Sequence, residues 1–140
     1  MKTRHVFFAT ILTLLAGAAY GGLYLPFPVE VDLDLAQANG DQYSARTDAN
    51  DEVFIGCGTR VFDDGVNTFS FGFCQATDAE GDVINCSTEN PTLVDAMSAN
   101  NTFAFITFSW DANTFECTRV GFSTQSFYLP EKPSKKKKKK

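Results

Sequence analysis

Val53–Ser87 reads VFIGCGTRVFDDGVNTFSFGFCQATDAEGDVINCS, and the fold is decided there. In Phe69-Ser70-Phe71-Gly72-Phe73-Cys74 aromatic rings alternate with small residues, which predicts a strand with one face buried under three rings. Before it, Val53-Phe54-Ile55-Gly56-Cys57 and Val61-Phe62 are rich in strand-forming residues, and Asp63-Asp64-Gly65 follows as a turn. Asp-Gly between two such runs signals a hairpin, because glycine accepts the positive φ of a primed turn. A second turn, Thr77 to Asp82, leads into Val83-Ile84-Asn85-Cys86. A hairpin centred on Glu80 sets Cys74 directly opposite Cys86. The stretch therefore predicts a three-stranded antiparallel meander. Gly56, Gly58 and Gly72 inside its strands read as bulges or as floors for rings to pack over.

The four cysteines allow three pairings. The hairpin register favours Cys74–Cys86, which leaves Cys57–Cys117. Their spacing contains no CxxC pair, so two disulfides are expected and not zinc.

Outward from this centre, Val29-Glu30-Val31-Asp32-Leu33-Asp34-Leu35 alternates aliphatic and acidic residues, predicting a half-buried strand. Glu30, Asp32 and Asp34 then form an acidic stripe, either the charged face of an edge strand or a site for a cationic partner. Ala36 to Asn50 is polar and reads as a loop, with room for a short strand at Gln42–Ala45. Asp48, Asp51 and Glu52 are weak calcium candidates, since their spacing does not match an EF-hand. Asn90-Pro91 predicts a short helix over about 91–99, with asparagine as cap and proline at the first helical position. Thr102–Trp110 predicts a second dominant strand with aromatics on both faces. Two more strands are expected, at Phe115–Val120 and Phe122–Leu129. The fold class is all-β: an antiparallel β-sandwich or small barrel with one short helix and two disulfides.

The amino end carries Lys2 and Arg4, the apolar run Val6 to Leu15, and Ala16-Gly17-Ala18. This predicts a signal peptide over 1–18, with an uncleaved anchor as the alternative. A disulfide-bonded β domain over 19–130 and a lysine-rich tail over 131–140 complete the plan. Between Ala19 and Pro130 sixteen Asp and Glu face three arginines, a net of −13, whereas the tail carries seven lysines and one acid. Lys135, Lys136, Lys137, Lys138, Lys139 and Lys140 suit an anionic envelope surface, or an added solubility tag, and the acidic body suits a cationic protein or a glycan. Specific nucleic-acid recognition is not expected. Asn85-Cys86-Ser87 and Asn100-Asn101-Thr102 fit the N-glycosylation pattern of a eukaryotic secretory route.

The only histidine, His5, falls in the expected leader, and no lysine lies between 19 and 130. Histidine-assisted nucleophiles and lysine Schiff bases are therefore excluded from the body. Only carboxylate chemistry remains for an enzyme, and it has no specific pattern here. The expectation is a secreted or periplasmic non-enzymatic binding module, with no cofactor. The alternatives are a self-assembling structural protein and a small carboxylate-based hydrolase. Trp110 and Tyr128, each with an apolar ring and a polar handle, are the aromatic candidates for partner binding.

Overall fold

The computed structural model describes residues 22–130. The expected leader at 1–18 and the tail with Lys135–Lys140 lie outside the described residues. Seven strands and two helices follow one another as β1 (Glu30–Asp32), β2 (Gln37–Asp41), α1 (Gln42–Thr47), β3 (Phe54–Asp63), β4 (Thr68–Thr77), β5 (Val83–Thr88), α2 (Pro91–Ser98), β6 (Phe105–Trp110) and β7 (Cys117–Ser123). A 3-10 turn closes the series at Ser126–Tyr128. One antiparallel sheet has the order β1-β2-β6-β7 and the other β3-β4-β5, and no barrel closes. An isolated parallel bridge from Ser87 to Glu116 links the neighbouring edges of the two sheets.

The meander forms as its turn residues dictate. Gly65 sits at φ 84° and Gly81 at φ 92°, conformations that glycine adopts without cost. Asp64 and Asp78 tighten the two turns by accepting backbone N–H groups. The hairpin register is as expected, with Cys74 opposite Cys86. The pairing of the cysteines is not. The disulfides are Cys57–Cys74 and Cys86–Cys117. Cys74 lies on the middle strand and also stands opposite Cys57, so the register gave it two candidates. Cys86 instead reaches across the core to the other sheet.

A second correction concerns the rings. Gly72, Cys74 and Ala76 are buried, while Phe69 is exposed and Phe71 and Phe73 are half-buried. The small residues of β4 face the core, and the phenylalanines line the outer side. A packing demand explains the inversion: a Cβ on Gly72 would stand 2.3 Å from the sulfur of Met97, which α2 presses onto this face. The core is built from Ile55, Ala76 and Ile84 on one sheet and Ala38, Ile106, Phe108 and Trp110 on the other. Met97 and both sulfurs of the Cys86–Cys117 bridge belong to the same core.

Elsewhere α2 matches its prediction, capped by the Asn90 side chain on the N–H groups of Thr92 and Leu93. The loop expected over Ala36–Asn50 is instead β2 and α1. Gln37-Ala38-Asn39-Gly40-Asp41 has no strand-forming residue, yet it pairs on both sides, with β1 and β6. Gly40 permits this, since a Cβ there would lie 2.8 Å from the Val29 backbone. The acidic strand is shorter than expected: it ends at Asp32, and Leu33 and Leu35 are exposed in the turn that follows. β7 runs straight through Gly121, so the separate strand expected over Phe122–Leu129 does not form.

Trp110 and Tyr128, expected at a partner surface, are only 5 % and 9 % exposed. Trp110 packs with Phe108, and Tyr128 stacks on Phe105 at 5.6 Å. Burial, and secondarily the negative charge of Asp41, raises the Tyr128 phenol above its ordinary 10.0. The folded chain then holds this proton more tightly than the unfolded one. Stability from this group is complete below pH 10.0 and is lost as pH rises through the raised folded value. Tyr128→Phe should flatten the alkaline decline of the melting temperature. An unchanged decline in the variant would refute this assignment.

Candidate functional site

The outer face of β3-β4-β5 is the most distinctive surface of the described residues. Antiparallel register sets Phe62 opposite Phe69, Arg60 opposite Phe71 and Gly58 opposite Phe73. Phe62 and Phe69 lie nearly parallel at 5.1 Å and 14°. Phe62 and Phe71 follow at 6.0 Å and 7°, and Phe71 reaches Phe73 at 6.2 Å. The four rings form one continuous ladder from the tip of the hairpin toward the body. Phe62 and Phe69 are 49 % and 57 % exposed, far from core behaviour.

Arg60 completes the ladder. Its guanidinium lies 4.7 Å from the centre of the Phe73 ring, and its Nη1 donates to the Thr59 carbonyl at 3.0 Å. The cation thus stabilises a ring and at the same time covers a carbonyl on the outer edge of the sheet. Asn100 does the same one pair further in, donating from Nδ2 to the Cys57 carbonyl at 3.4 Å. Both contacts blunt the edge against a further strand. They also occupy the amide of Asn100, one of the two expected glycan acceptors; Asn85, the other, is exposed on the outer face. Glycine performs as a floor: the Phe73 ring lies over Gly58, and nothing lies within 4 Å above Gly56. Gln75 and Asn85, opposite each other, continue this face in polar form.

The ladder runs into a cleft lined by Phe71, Ser87, Thr88, Glu89, Phe115 and Glu116. Its far wall comes from the β6–β7 connection. Asp111 organises that turn by accepting the N–H groups of Asn113 and Thr114. These bonds, from Thr114 first, hold the Asp111 carboxyl below its usual value. Phe115 adopts φ 57°, a left-handed conformation that is costly for a bulky residue. Bonds from the Phe115 N–H to the Asp111 carbonyl and from the Ser87 N–H to the Phe115 carbonyl hold it there. The ring is left 54 % exposed beside Glu116. Thr88 donates from Oγ1 to Glu116 Oε1 at 3.4 Å across the two walls. Sequence reading missed this cleft, because its walls are about thirty residues apart and are united by the Cys86–Cys117 bridge, the edge contact and the Thr88–Glu116 bond, none of which a local pattern encodes.

The residues singled out from the sequence fall elsewhere. Glu30, Asp32 and Asp34 border a shallow acidic depression together with Asp82. Asp78 draws that loop onto β1, accepting the Val31 N–H at 3.2 Å. Asp48, Asp51 and Glu52 are exposed, and Asp48 is spent on the Asn50 N–H. Among the described residues no three acidic, cysteine or histidine side chains are grouped to hold a metal ion. Between Ala19 and Pro130 the acids outnumber the arginines by thirteen, so this part of the chain carries an acidic field.

Fold and site together define a disulfide-bonded domain of two antiparallel sheets that displays an aromatic ladder ending in an acidic cleft. The chain matches no protein-family model, no curated protein and no solved structure. Two disulfides are compatible with an oxidising compartment, and no helix among the described residues is long and apolar enough to cross a membrane.

Proposed function

We propose that this protein is a secreted or periplasmic, non-enzymatic binding module that holds a glycan on the outer face of β3-β4-β5. The observation that carries this reading is the ladder of Phe62, Phe69, Phe71 and Phe73 on the outer face of the sheet, whose middle strand turns the small residues Gly72, Cys74 and Ala76 inward. Aromatic rings stack on the apolar faces of sugars, and neighbouring amides and hydroxyls take the sugar hydroxyls. Gln75, Asn85 and Ser87 supply such groups on the same face. A peptide is a poorer fit, because strand addition needs a free edge and the Cys57 and Thr59 carbonyls are already taken. Membrane insertion is opposed by Asp63 and Asp64 at the hairpin tip, which an anionic surface repels. The lysine tail, on this reading, adds weak, salt-sensitive attachment to an anionic envelope surface.

Affinity electrophoresis through gels containing insoluble or soluble polysaccharides tests the proposal. Phe69→Ala with Phe71→Ala should weaken retardation by about tenfold, given the usual worth of exposed ring contacts. Since both rings stand outside the core, the melting temperature should change little. Unaltered retardation in the double variant would remove the ladder from recognition and sink the proposal.

A further inference from the structure

The ladder does not end on neutral ground. Phe71 belongs both to the row of rings and to the wall of the cleft that holds Glu89 and Glu116. A sugar chain stacked along the rings therefore brings a neighbouring unit to two exposed carboxylates and the open ring of Phe115. Neither acid has a cationic partner among the described residues, and the domain around them has a net charge of −13 between Ala19 and Pro130. Carboxylates beside aromatic faces form an environment for an ammonium group: charge is met by the acids and the cation is attracted to the rings. The chain itself uses the same chemistry one step away, where Arg60 covers Phe73.

Resting on the glycan-binding reading, we infer that the ligand is a polymer of amino sugars carrying free amines, whose ammonium groups are received by Glu89 and Glu116 between Phe71 and Phe115. Uronic-acid or sulfated glycans meet the opposite, since the same carboxylates repel them.

The test uses the full chain and three probes: fully deacetylated chitosan, its N-acetylated counterpart and soluble oligolysine, in low salt at a pH where the amines are protonated. The expected result is retention by chitosan at least about tenfold stronger than by the N-acetylated polymer, lost on raising the salt. Glu89→Gln with Glu116→Gln should remove that preference, so that the two polymers are retained to the same extent. Both glutamines retain a side-chain oxygen, so the Thr88 contact and the fold survive. If the double variant keeps the full preference for chitosan, the carboxylate site is overturned, whereas the ladder reading stands provided Phe69→Ala with Phe71→Ala weakens binding to both polymers about tenfold. If oligolysine binds in a manner dependent on the two acids and neither glycan is retained, the ligand is a cationic peptide and both readings fail. Retention of neither glycan nor oligolysine overturns both as well.

Discussion

Replacing Cys86 and Cys117 together by alanine is expected to lower stability by about 3–4 kcal/mol, the largest loss any single link in this chain should produce. The bond closes a loop of sequence separation 31, and its removal frees that much of the unfolded ensemble. Both cysteines are only 1 % exposed, so the variant also leaves a void between the sheets. Between β5 and the start of β7 there would remain the Ser87–Glu116 bridge, with its bond from the Ser87 N–H to the Phe115 carbonyl, and the bond from the Thr88 hydroxyl to Glu116. Cys57–Cys74 offers the contrast. It spans a separation of 17 inside a hairpin already aligned over ten residue pairs, so its loss should cost less. Urea unfolding of the two double variants measures the difference. Equal shifts in midpoint would mean that the bond between sheets adds nothing beyond a bond within one. The cleft should respond as well, because the bridge holds the Phe115–Glu116 wall against Ser87–Glu89.

Asp41→Ala is expected to cost about 3 kcal/mol, at the upper end for a single buried polar residue. Asp41 is 1 % exposed, and its carboxylate accepts three bonds: from the Phe27 N–H at 2.6 Å, the Ser44 N–H at 2.7 Å and the Ser44 hydroxyl at 2.6 Å. One of these caps α1, and another fastens the incoming segment around Phe27 onto β2. Truncation leaves three part-buried donors without their acceptor, which adds to the loss of the bonds themselves. Asp41→Asn keeps the shape and one oxygen, and should recover part of the loss. Thermal melts of the pair check this; a wild-type melting temperature for Asp41→Ala would show that water replaces the carboxylate without cost.

Much of the fold was legible because its signals are local. Asp-Gly and Glu-Gly turns, alternation in β4 and the Asn-Pro start of α2 each act within a few residues, and each formed where the sequence placed it. β2 was not legible, for its glycine, alanine and asparagine carry no strand preference; the close approach of Val29 to Gly40 demands small residues there. Alternation likewise announced the β4 strand but not which face is buried. Phenylalanine is ordinarily the inward residue, but Met97, brought in from α2, leaves no room for a side chain at Gly72 on the inner face. The disulfide partners failed for the same reason as the cleft: both depend on β5 meeting β7, a contact between sheets that no local pattern encodes. Trp110 and Tyr128 were singled out for polar handles, yet their apolar area claimed them for packing. The rings that stay outside, Phe62, Phe69 and Phe71, carry no polar atom to draw attention to them.

The backbone leaves the four-stranded sheet at Gln42 and returns to it at Ala104, and those two residues are clasped together. The Gln42 N–H donates to the Ala104 carbonyl at 3.1 Å, and the Ala104 N–H donates to the Gln42 side-chain oxygen at 3.1 Å. The whole ladder-bearing sheet is thus an excursion that starts and finishes at one gate. Its hairpin tip, from Arg60 to Ser70, is exposed throughout and contributes no residue to the core. Lengthening or shortening that tip by paired residues alters how many rings the face presents while the frame that carries it keeps its own geometry. The protein is in this sense a fixed mount with an adjustable ruler, and the reach of its aromatic face is set by hairpin length rather than by the fold.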